Sequence, residues 1–374
     1  MTGMRARQLG VITGCGVPGP HNAITDVPGV RVGHMTLIEG EGELVVGRGP
    51  VRTGVTVIMP HDGDIWREPV FAGCHRLNGN GELTGLEWIR ESGTLSSPIA
   101  LTNTHSVGVV RDALVAQAVA GRDPRESYWA LPVVGETWDG VLNDINGFHV
   151  RPEHVERAFA AAANGPVAEG NVGGGTGMIC HGFKGGVGTA SRVVDADVGG
   201  YTVGVLVQAN HGRRDRLRVD GVPVGEEIPS SVIPLPHASA ASEGTGSIIA
   251  VVATDAPLLP NPCARLAQRA GLGIARTGGV GEHTSGDLFV AFAVGNRGLP
   301  GSAYAPDSPI AVPLSMLSNA YINPLFDAVV EATEEAILNA LLAAETMTGR
   351  DFITAHRLDP DRLLSVMRRY RRAT

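Results

Sequence analysis

Short runs of apolar and β-branched residues recur along the chain, separated by polar segments rich in Gly, Pro, Asn and Asp. Each run has the length of a strand and is bounded by turn-forming residues, which is the pattern of a buried strand. Five such strands are predicted, at Val55–Met59, Ile99–Thr102, Val203–Ala209, Ile248–Ala253 and Leu288–Val294.

Three other segments carry apolar residues at helical spacing, with Pro near the start and Gly at or beyond the end. They are Pro152–Asn164, a segment that begins at Asn261-Pro262 and stops at Gly271, and a longer one that begins at Asn323-Pro324 and ends before Gly349. Strands and helices mixed in this order predict a layered α/β architecture.

Length and charge narrow the range of functions. A chain of 374 residues without an internal linker or charge block is predicted to form one large domain with a substantial apolar core. The formal net charge of -8 argues against nucleic acid as the main partner, because phosphate binding needs a basic face. Residues 1–17 lack the apolar region of a secretory signal, and no apolar run approaches a membrane span. We therefore expect a cytoplasmic protein that does not bind membranes.

Several familiar catalytic patterns are missing from the sequence. It contains no phosphate-binding P-loop, no HExxH zinc motif and no GxSxG nucleophile elbow. The four cysteines are scattered and are expected to be free thiols. Cys180-His181 is a pair that could join a metal site, but the spacing of the histidines gives it no partner, so no metal is expected.

One junction in the sequence suits self-cleavage. Residues 242–255 read SEGTGSIIAVVATD, so a segment of small residues runs into an apolar strand at Gly246-Ser247. Gly246 has no Cβ, so the Ser247 hydroxyl can approach its carbonyl closely. Cleavage would leave Ser247 with a free α-amine, whose ordinary pKa of about 7.7–8.0 suits a general base. Taken alone, a Gly-Ser pair is more often a plain turn.

Longer segments around this junction carry a specific resemblance. They are NAITDVPGVRVGH from Asn22, VFAGCHRLNGNGELTGLEWIRESG from Val70, LTNTHSVGVVRDA from Leu101, VVGETWDGVLND from Val133, GNVGGGTGMICHGFKGGVGTASR from Gly170, VGVLVQANHG from Val203, GTGSIIAVVATDAPLLPNP from Gly244 and IARTGGVGEHTSGDLFVAF from Ile274. In this order they resemble the DmpA family of L-aminopeptidase/D-amidase/D-esterases and β-peptidyl aminopeptidases, which has Leu where this chain has Ile274. The resemblance extends over nearly the whole chain.

The resemblance implies a fold and a maturation step. Members of the family fold as a four-layer α/β/β/α sandwich, similar to the N-terminal-nucleophile hydrolases but with different connectivity. They cleave themselves at a Gly-Ser bond, which here would divide the chain into 1–246 and 247–374. They need no cofactor and usually assemble as homotetramers, so the same is expected of this chain.

The resemblance also implies roles for residues near the junction. Ser247 would be the nucleophile, and Ser285 and Asp287 would support it from one face of a strand. Asn210, at the end of a predicted strand, would stabilise the oxyanion. The better-known members carry Glu at the position of Asp287, which is one methylene shorter.

Two further residues concern the substrate. The family uses an acidic residue at the position of Glu136 to hold the substrate's free amino group by a charge-assisted hydrogen bond. Trp138 stands where the better-known members carry Tyr, whose hydroxyl belongs to the oxyanion site. Indole can donate a hydrogen bond but is not a phenol, so Trp138 is expected either to donate or to form a wall of the pocket.

The predicted function is therefore that of an autoprocessed serine aminopeptidase or amidase acting on amide or ester bonds beside a free amino group. Small peptides and amino acid amides or esters are the expected substrates. The sequence leaves open a preference for β-peptides or nylon-type oligomers, and an uncleaved member without catalytic activity. Acyl transfer of the ornithine acetyltransferase type uses an N-terminal Thr, which argues against it here.

Overall fold

The computed structural model describes residues 4–236, 246–301 and 309–371. Residues 242–245 of the predicted cleavage segment lie outside these ranges. The strands within them are β1 (Arg31–Glu39), β2 (Val51–Met59), β3 (Val70–Gly79), β4 (Thr94–Leu95), β5 (Ile99–Asn103), β6 (Val133–Thr137), β7 (Ile179–Cys180), β8 (Phe183–Lys184), β9 (Gly186–Val193), β10 (Thr202–Asn210), β11 (Ser247–Thr254), β12 (Gly286–Ala293), β13 (Met347–Thr348) and β14 (Thr354–Ala355). The helices are α1 (Leu86–Ser92), α2 (Val107–Ala120), α3 (Pro152–Ala160), α4 (Val224–Glu227), α5 (Pro260–Arg276), α6 (Asn323–Ala343) and α7 (Pro360–Arg369).

Two sheets form the centre of the fold. One has the strand order β1-β2-β5-β6, and the other has the order β4-β3-β12-β11-β10-β9. Helices α2 and α3 contact the four-stranded sheet, whereas α5 and α6 contact the six-stranded sheet. The layers are therefore helix, sheet, sheet and helix, as the resemblance predicted.

Strand β11 shows why the two sheets stack. Its side chains alternate between faces, as in any strand. Ile248 and Ala250 join the core beneath α5 and α6, while Ile249 and Val251 join the core between the sheets. Every residue of the strand is buried. A strand that is apolar on both faces is stable only with a covering layer on each side.

The five predicted strands are confirmed as β2, β5, β10, β11 and β12, with ends that differ by a few residues. The prediction that the second helix stops at Gly271 is wrong, because α5 continues to Arg276. Gly273, in the continuation, packs so closely on α6 that an added Cβ would lie 2.6 Å from the Val330 carbonyl oxygen. Close helix–helix packing therefore explains Gly273 better than helix termination does.

The other two predicted helices are shorter than expected, ending at Ala160 and Ala343. Within the described ranges, no helix is both long and apolar enough to cross a membrane.

Candidate active site

An open cleft lies where the two sheets come together at one edge. Strands β5 and β6 are parallel and end there, and β11, from the other sheet, begins there. The cleft has a volume of about 570 Å³. Its lining residues are Asn80, Gly81, Glu82, Thr104, His105, Glu136, Trp138, Gly246, Ser247 and Thr284.

Ser247 is the first residue of β11 and opens onto this cleft. It pairs with Asn210 on the antiparallel neighbour β10 and with Gly286 on the parallel neighbour β12. The main-chain N–H of Gly286 donates a hydrogen bond of 3.1 Å to Ser247 Oγ. This bond leaves the hydroxyl proton of Ser247 available for transfer, which is what a nucleophile needs.

Ser285 and Asp287 flank Gly286 and lie behind Ser247, outside the lining of the cleft. The Ser285 hydroxyl donates a hydrogen bond of 2.6 Å to Asp287 Oδ1, so the shorter acidic side chain does reach its neighbour. Burial raises the pKa of Asp287 to about 6, and the nearby Glu282 adds to this, while the bond from Ser285 opposes it. The Asp287 carboxyl therefore changes charge close to neutral pH, as a proton acceptor in catalysis must.

Asn210 ends β10 directly opposite Ser247. Its Oδ1 accepts a 2.8 Å hydrogen bond from the Ile179 main-chain N–H. Its Nδ2 donates a 3.0 Å hydrogen bond to the Trp138 carbonyl oxygen. A primary amide carries two N–H donors, so the Asn210 side chain can donate one further hydrogen bond.

Gly246 precedes the nucleophile and is in close contact with β10. An added Cβ would overlap the carbonyl oxygen of Asn210 and would come within 3.3 Å of the His211 Cα. Both obstacles are main chain and cannot rotate away. Only glycine fits here, which is a stronger requirement than the sequence alone suggested.

Glu136 is 3 % exposed and occupies the end of β6. The main-chain N–H of Glu82 donates to its Oε1 at 2.9 Å, and the Thr104 hydroxyl donates to its Oε2. Burial raises the pKa of Glu136, and these two hydrogen bonds oppose the rise. A buried carboxylate held at both oxygens is a rigid partner for an ammonium group.

Trp138 forms one wall of the cleft and is 42 % exposed. Gly140 makes room for its indole, since an added Cβ would lie 2.6 Å from the ring. Across the cleft, His105 stacks on Phe148 with 5.9 Å between ring centroids. The position of Trp138 therefore fits a wall of the pocket.

The Asn-Gly-Asn-Gly loop at residues 78–81 is bound to the segment before β12. The Asn78 side chain donates to the Glu282 carbonyl, and Asn80 Nδ2 donates to the Thr284 carbonyl at 2.7 Å. Gly286 packs against this loop, so that an added Cβ would lie 2.7 Å from Gly81 Cα. The loop thus positions the Gly286 amide that contacts the nucleophile.

The structure places Ser247, Gly246, Glu136 and Trp138 around one cleft, with Asn210, Ser285 and Asp287 directly behind it. The sequence marks Thr104 as a possible site residue, because it lies with Asn103 and His105 at the end of a predicted apolar strand, but it gives the Thr104 hydroxyl no role. The amides of Glu82 and Gly286 were missed, because main-chain donors are the same at every position and leave no signal in the sequence.

The profile of Peptidase family S58 matches residues 22–355 of this chain. This chain belongs to peptidase family S58. The prediction of the DmpA family, whose members this profile describes, is thereby confirmed.

Individual relatives cover the S58 chain almost completely. It is 50% identical to "Beta-peptidyl aminopeptidase BapA" of Sphingosinicella microcystinivorans, over 99% of this chain and 93% of that one. A solved "Burkholderia sp. beta-aminopeptidase" is 55% identical with a TM-score of 0.91, covering 98% and 99% of the two chains.

A third relative bears on the fold. The L-aminopeptidase D-ala-esterase/amidase of Ochrobactrum anthropi is 44% identical, with a TM-score of 0.88 and 99% coverage of both chains. Its fold is described as a new variant among the Ntn hydrolase folds. The predicted fold class is therefore confirmed for this S58 member.

Proposed function

We propose that this S58 chain cleaves its own Gly246–Ser247 bond and then uses Ser247 to hydrolyse amide or ester bonds beside a free amino group. Its family makes it a hydrolase of the serine aminopeptidase and amidase class. The residue roles and the cleavage site are the proposal. The observation that carries it is the position of Ser247, at the start of a buried strand and open to a cleft that also contains Glu136.

Self-cleavage begins while Ser247 is still joined to Gly246. The Ser247 Oγ attacks the Gly246 carbonyl carbon, the C–N bond breaks, and an ester forms as the nitrogen gains a proton. Water then hydrolyses the ester, giving a Gly246 carboxylate and a free Ser247 α-amine. Since this nitrogen is an amide before cleavage, it cannot accept the first proton. We assign this role to the hydrogen-bonded pair Ser285 and Asp287, which flanks the residue that pairs with Ser247 on the neighbouring strand.

Turnover repeats the same attack on a substrate. Ser247 Oγ forms an acyl-enzyme, the amine or alcohol leaves, and water releases the acid. Glu136 holds the free amino group, and the unused N–H of Asn210 stabilises the oxyanion. After cleavage the α-amine of Ser247 is a second candidate for the base.

The test follows self-cleavage by intact mass at different pH values. Precursor from a cell-free translation mixture is placed in buffers between about pH 5 and 8, and the chain beginning at Ser247 is measured over time. Because burial raises the pKa of Asp287 to about 6, the carboxylate is present above that pH. Cleavage is therefore expected to slow as the pH falls through about 6.

Asp287→Asn supplies the matched comparison, since it keeps the shape of the side chain and removes its titration. We expect it to cleave slowly at every pH, without the loss of rate near pH 6. Wild-type protein that stays uncut at all pH values would contradict the proposed function. If cleavage at Gly246–Ser247 occurs at a rate that changes neither with pH nor in Asp287→Asn, only the assignment of Ser285 and Asp287 as the base is contradicted.

Glu136→Gln is expected to separate substrates with and without a free amine. The variant keeps the side-chain size but loses the charge that an ammonium group needs. We expect kcat/KM for alanine p-nitrophenyl ester to fall about 10- to 100-fold, or roughly 1.4–2.7 kcal/mol, through a higher KM. Hydrolysis of p-nitrophenyl acetate should change by less than about threefold.

The control for that experiment is Glu226→Gln, which removes the same charge from an exposed side chain paired with Arg218. It should leave both substrates unaffected. Equal losses on both esters in Glu136→Gln would show that Glu136 supports the structure of the site and does not select amines.

A preference for β-amino acid substrates is the second candidate. It rests on the 50% and 55% identity to relatives described as β-peptidyl aminopeptidase and β-aminopeptidase. The ratio of kcat/KM for β-alanine p-nitroanilide to that for alanine p-nitroanilide in the wild-type chain decides between the two. These two substrates are isomers that present the same ammonium group and differ in whether two carbons or one separate it from the scissile carbonyl.

The remaining features of the proposal concern the whole molecule. We infer one domain over residues 1–374, cleaved into chains 1–246 and 247–374, and assembled as a homotetramer of cleaved pairs. A cytoplasmic location and a small peptide, amide or ester substrate complete the proposal. No nucleic acid, membrane or cofactor is assigned a role in it.

A further inference from the structure

Three side chains able to bind metal ions meet behind the end of β10, outside the cleft. Cys180 ends β7, His181 begins the turn to β8, and His211 follows Asn210. One ligand atom from each lies within 4.8 Å of the other two. The distance from Cys180 Sγ to His211 Nδ1 is 3.8 Å. The sequence had placed only Cys180 and His181 together.

One ring nitrogen that could bind an ion lacks a hydrogen-bond partner among the described residues. It is Nε2 of His181, which is buried. Nε2 of His211 is also unpartnered, but Nδ1 is the His211 nitrogen beside Cys180 Sγ, so an ion bound there would leave Nε2 as it is. Buried polar atoms are nearly always satisfied, so such atoms call for a partner. His181 Nδ1 lies 3.0 Å from the Arg213 carbonyl oxygen and therefore donates to it, which leaves the lone pair on Nε2. Histidines that bind metals are held in this way.

The backbone at His181 adds a second observation. His181 and Gly182 have φ of 49° and 68° and form the two-residue turn between the antiparallel strands β7 and β8. This turn favours Asn-Gly, because both residues have positive φ. A histidine in the first position costs conformational energy, and such costs are typical of functional sites.

The cluster is closely packed by two neighbouring glycines. An added Cβ at Gly212 would overlap the His181 imidazole, and one at Gly279 would lie 3.1 Å from His211 Cδ2. Glycine at these positions lets both rings lie against the chain. The three ligands are thus held in place before any ion binds.

The types of side chain also suit a metal ion. Two imidazoles and one thiol that a metal can deprotonate make a ligand set for soft ions.

We propose that Cys180, His181 and His211 bind one thiophilic transition-metal ion of the Zn²⁺ or Cu⁺ class. On binding, the thiol proton passes to solvent and an S–metal bond forms. Bond lengths of about 2.3 Å to sulfur and 2.0–2.1 Å to nitrogen require ligand atoms roughly 3.4–3.8 Å apart. The 3.8 Å between Cys180 Sγ and His211 Nδ1 meets this. All three ligand atoms lie within 4.8 Å of one another, so closure onto one ion needs shifts of about 1 Å or less.

Two basic side chains lie near the cluster. Lys184 Nζ donates to the main-chain carbonyls of Met178 and Gly185 at 2.9 Å. Arg214 donates to the carbonyls of His181 and Gly182. The guanidinium charge of Arg214 would compensate part of the thiolate charge, which favours an ion of low charge.

The site would stabilise the end of β10. The His181 N–H donates a 2.7 Å hydrogen bond to the His211 carbonyl, and Asn210 contacts the Ile179 N–H. The cluster therefore links the segment that contains Ile179 and His181 to the end of β10, and these two segments position Asn210. The proposal concerns metal binding alone and does not depend on the proposed hydrolase activity.

The test measures metal content of the full chain, made without a histidine tag in medium supplied with Zn²⁺ and Cu⁺. Elemental analysis after a chelator wash is expected to find about one ion per chain. Protein made with Co²⁺ should show a near-ultraviolet absorption band from thiolate-to-metal charge transfer. Two variants remove ligands: Cys180→Ser, and His181→Asn, which suits the turn at least as well as histidine. Each should lower the metal content at least about tenfold.

Cys263→Ser is the matched control, because Cys263 is equally buried in α5 and has no part in the cluster. It should keep the ion and the cobalt band. Circular dichroism shows whether the His181→Asn variant is still folded. If it is, its lower metal content reflects the lost ligand and not a lost fold. Wild-type protein without a bound ion, even after refolding with Zn²⁺, overturns the proposal. Equal metal in wild type and both ligand variants overturns it too, since the ion would then be adventitious.

Discussion

Ser247→Ala is expected to abolish both self-cleavage and hydrolysis, because one hydroxyl serves both reactions. The uncut chain should persist through incubation at neutral pH, and kcat/KM should fall by about 10⁴-fold or more, roughly 5.4 kcal/mol. The two groups beside Ser247 on the neighbouring strand cannot replace its hydroxyl, because Ser285 is bound to Asp287 and the Gly286 N–H is a donor. Intact mass and aminoacyl p-nitroanilide assays measure the two losses.

Ser97→Ala is the control for this change. Ser97 and Ser247 are both 5 % exposed, but Ser97 lies outside the cleft lining, just before β5. Its replacement should leave cleavage and turnover intact. A Ser247→Ala chain that still breaks at Gly246 would exclude Ser247 as the nucleophile of self-cleavage.

Gly246→Ala is expected to produce the second-largest effect, a precursor that cleaves about 10²-fold more slowly or not at all. The added methyl group would overlap the Asn210 carbonyl oxygen, which belongs to a buried strand end. The chain can accept it only by moving the Gly246 carbonyl away from β10. Such a shift separates Ser247 from Asn210 and from the Gly286 amide.

Gly108→Ala is the matched control, since its added Cβ would meet nothing within 4 Å and lies in a helix, where Ala is favoured. It should process at the wild-type rate. Thermal unfolding of both variants distinguishes a local effect at Gly246 from a loss of fold. Normal cleavage in Gly246→Ala, with an unchanged melting temperature, would show that the close packing of Gly246 has no role in the reaction.

Several parts of the candidate site could be predicted because they are contiguous in sequence. Ser285 and Asp287 are two residues apart at the start of a strand, so a period of two already places them on one side. Ser247 was recognisable from the small residues before it and the apolar strand after it. Glu136, Trp138 and Asn210 came from the resemblance, and their roles remain predictions.

Other parts depend on contacts between distant segments. Thr104 binds Glu136 because β5 and β6 are adjacent and parallel, a pairing that no local pattern specifies. Gly246 is indispensable only because β10 lies beside it. Contacts between distant segments also explain why the predicted helix end at Gly271 is wrong. The nearby Gly273 packs on α6 and does not end the helix.

The sequence by itself determined the strands, the layered fold class and the family, and it predicted the junction at Gly246-Ser247. These depend on local periodicity and on long contiguous motifs, which can be recognised in the sequence without knowledge of the fold. Only the tertiary structure decided that Asp287 reaches Ser285, that main-chain amides hold Ser247 and Glu136, and that His211 joins Cys180 and His181. Hydrogen bonds and ligand sites act over about 3 Å in space, and residues 31 positions apart, such as Cys180 and His211, come that close only through folding.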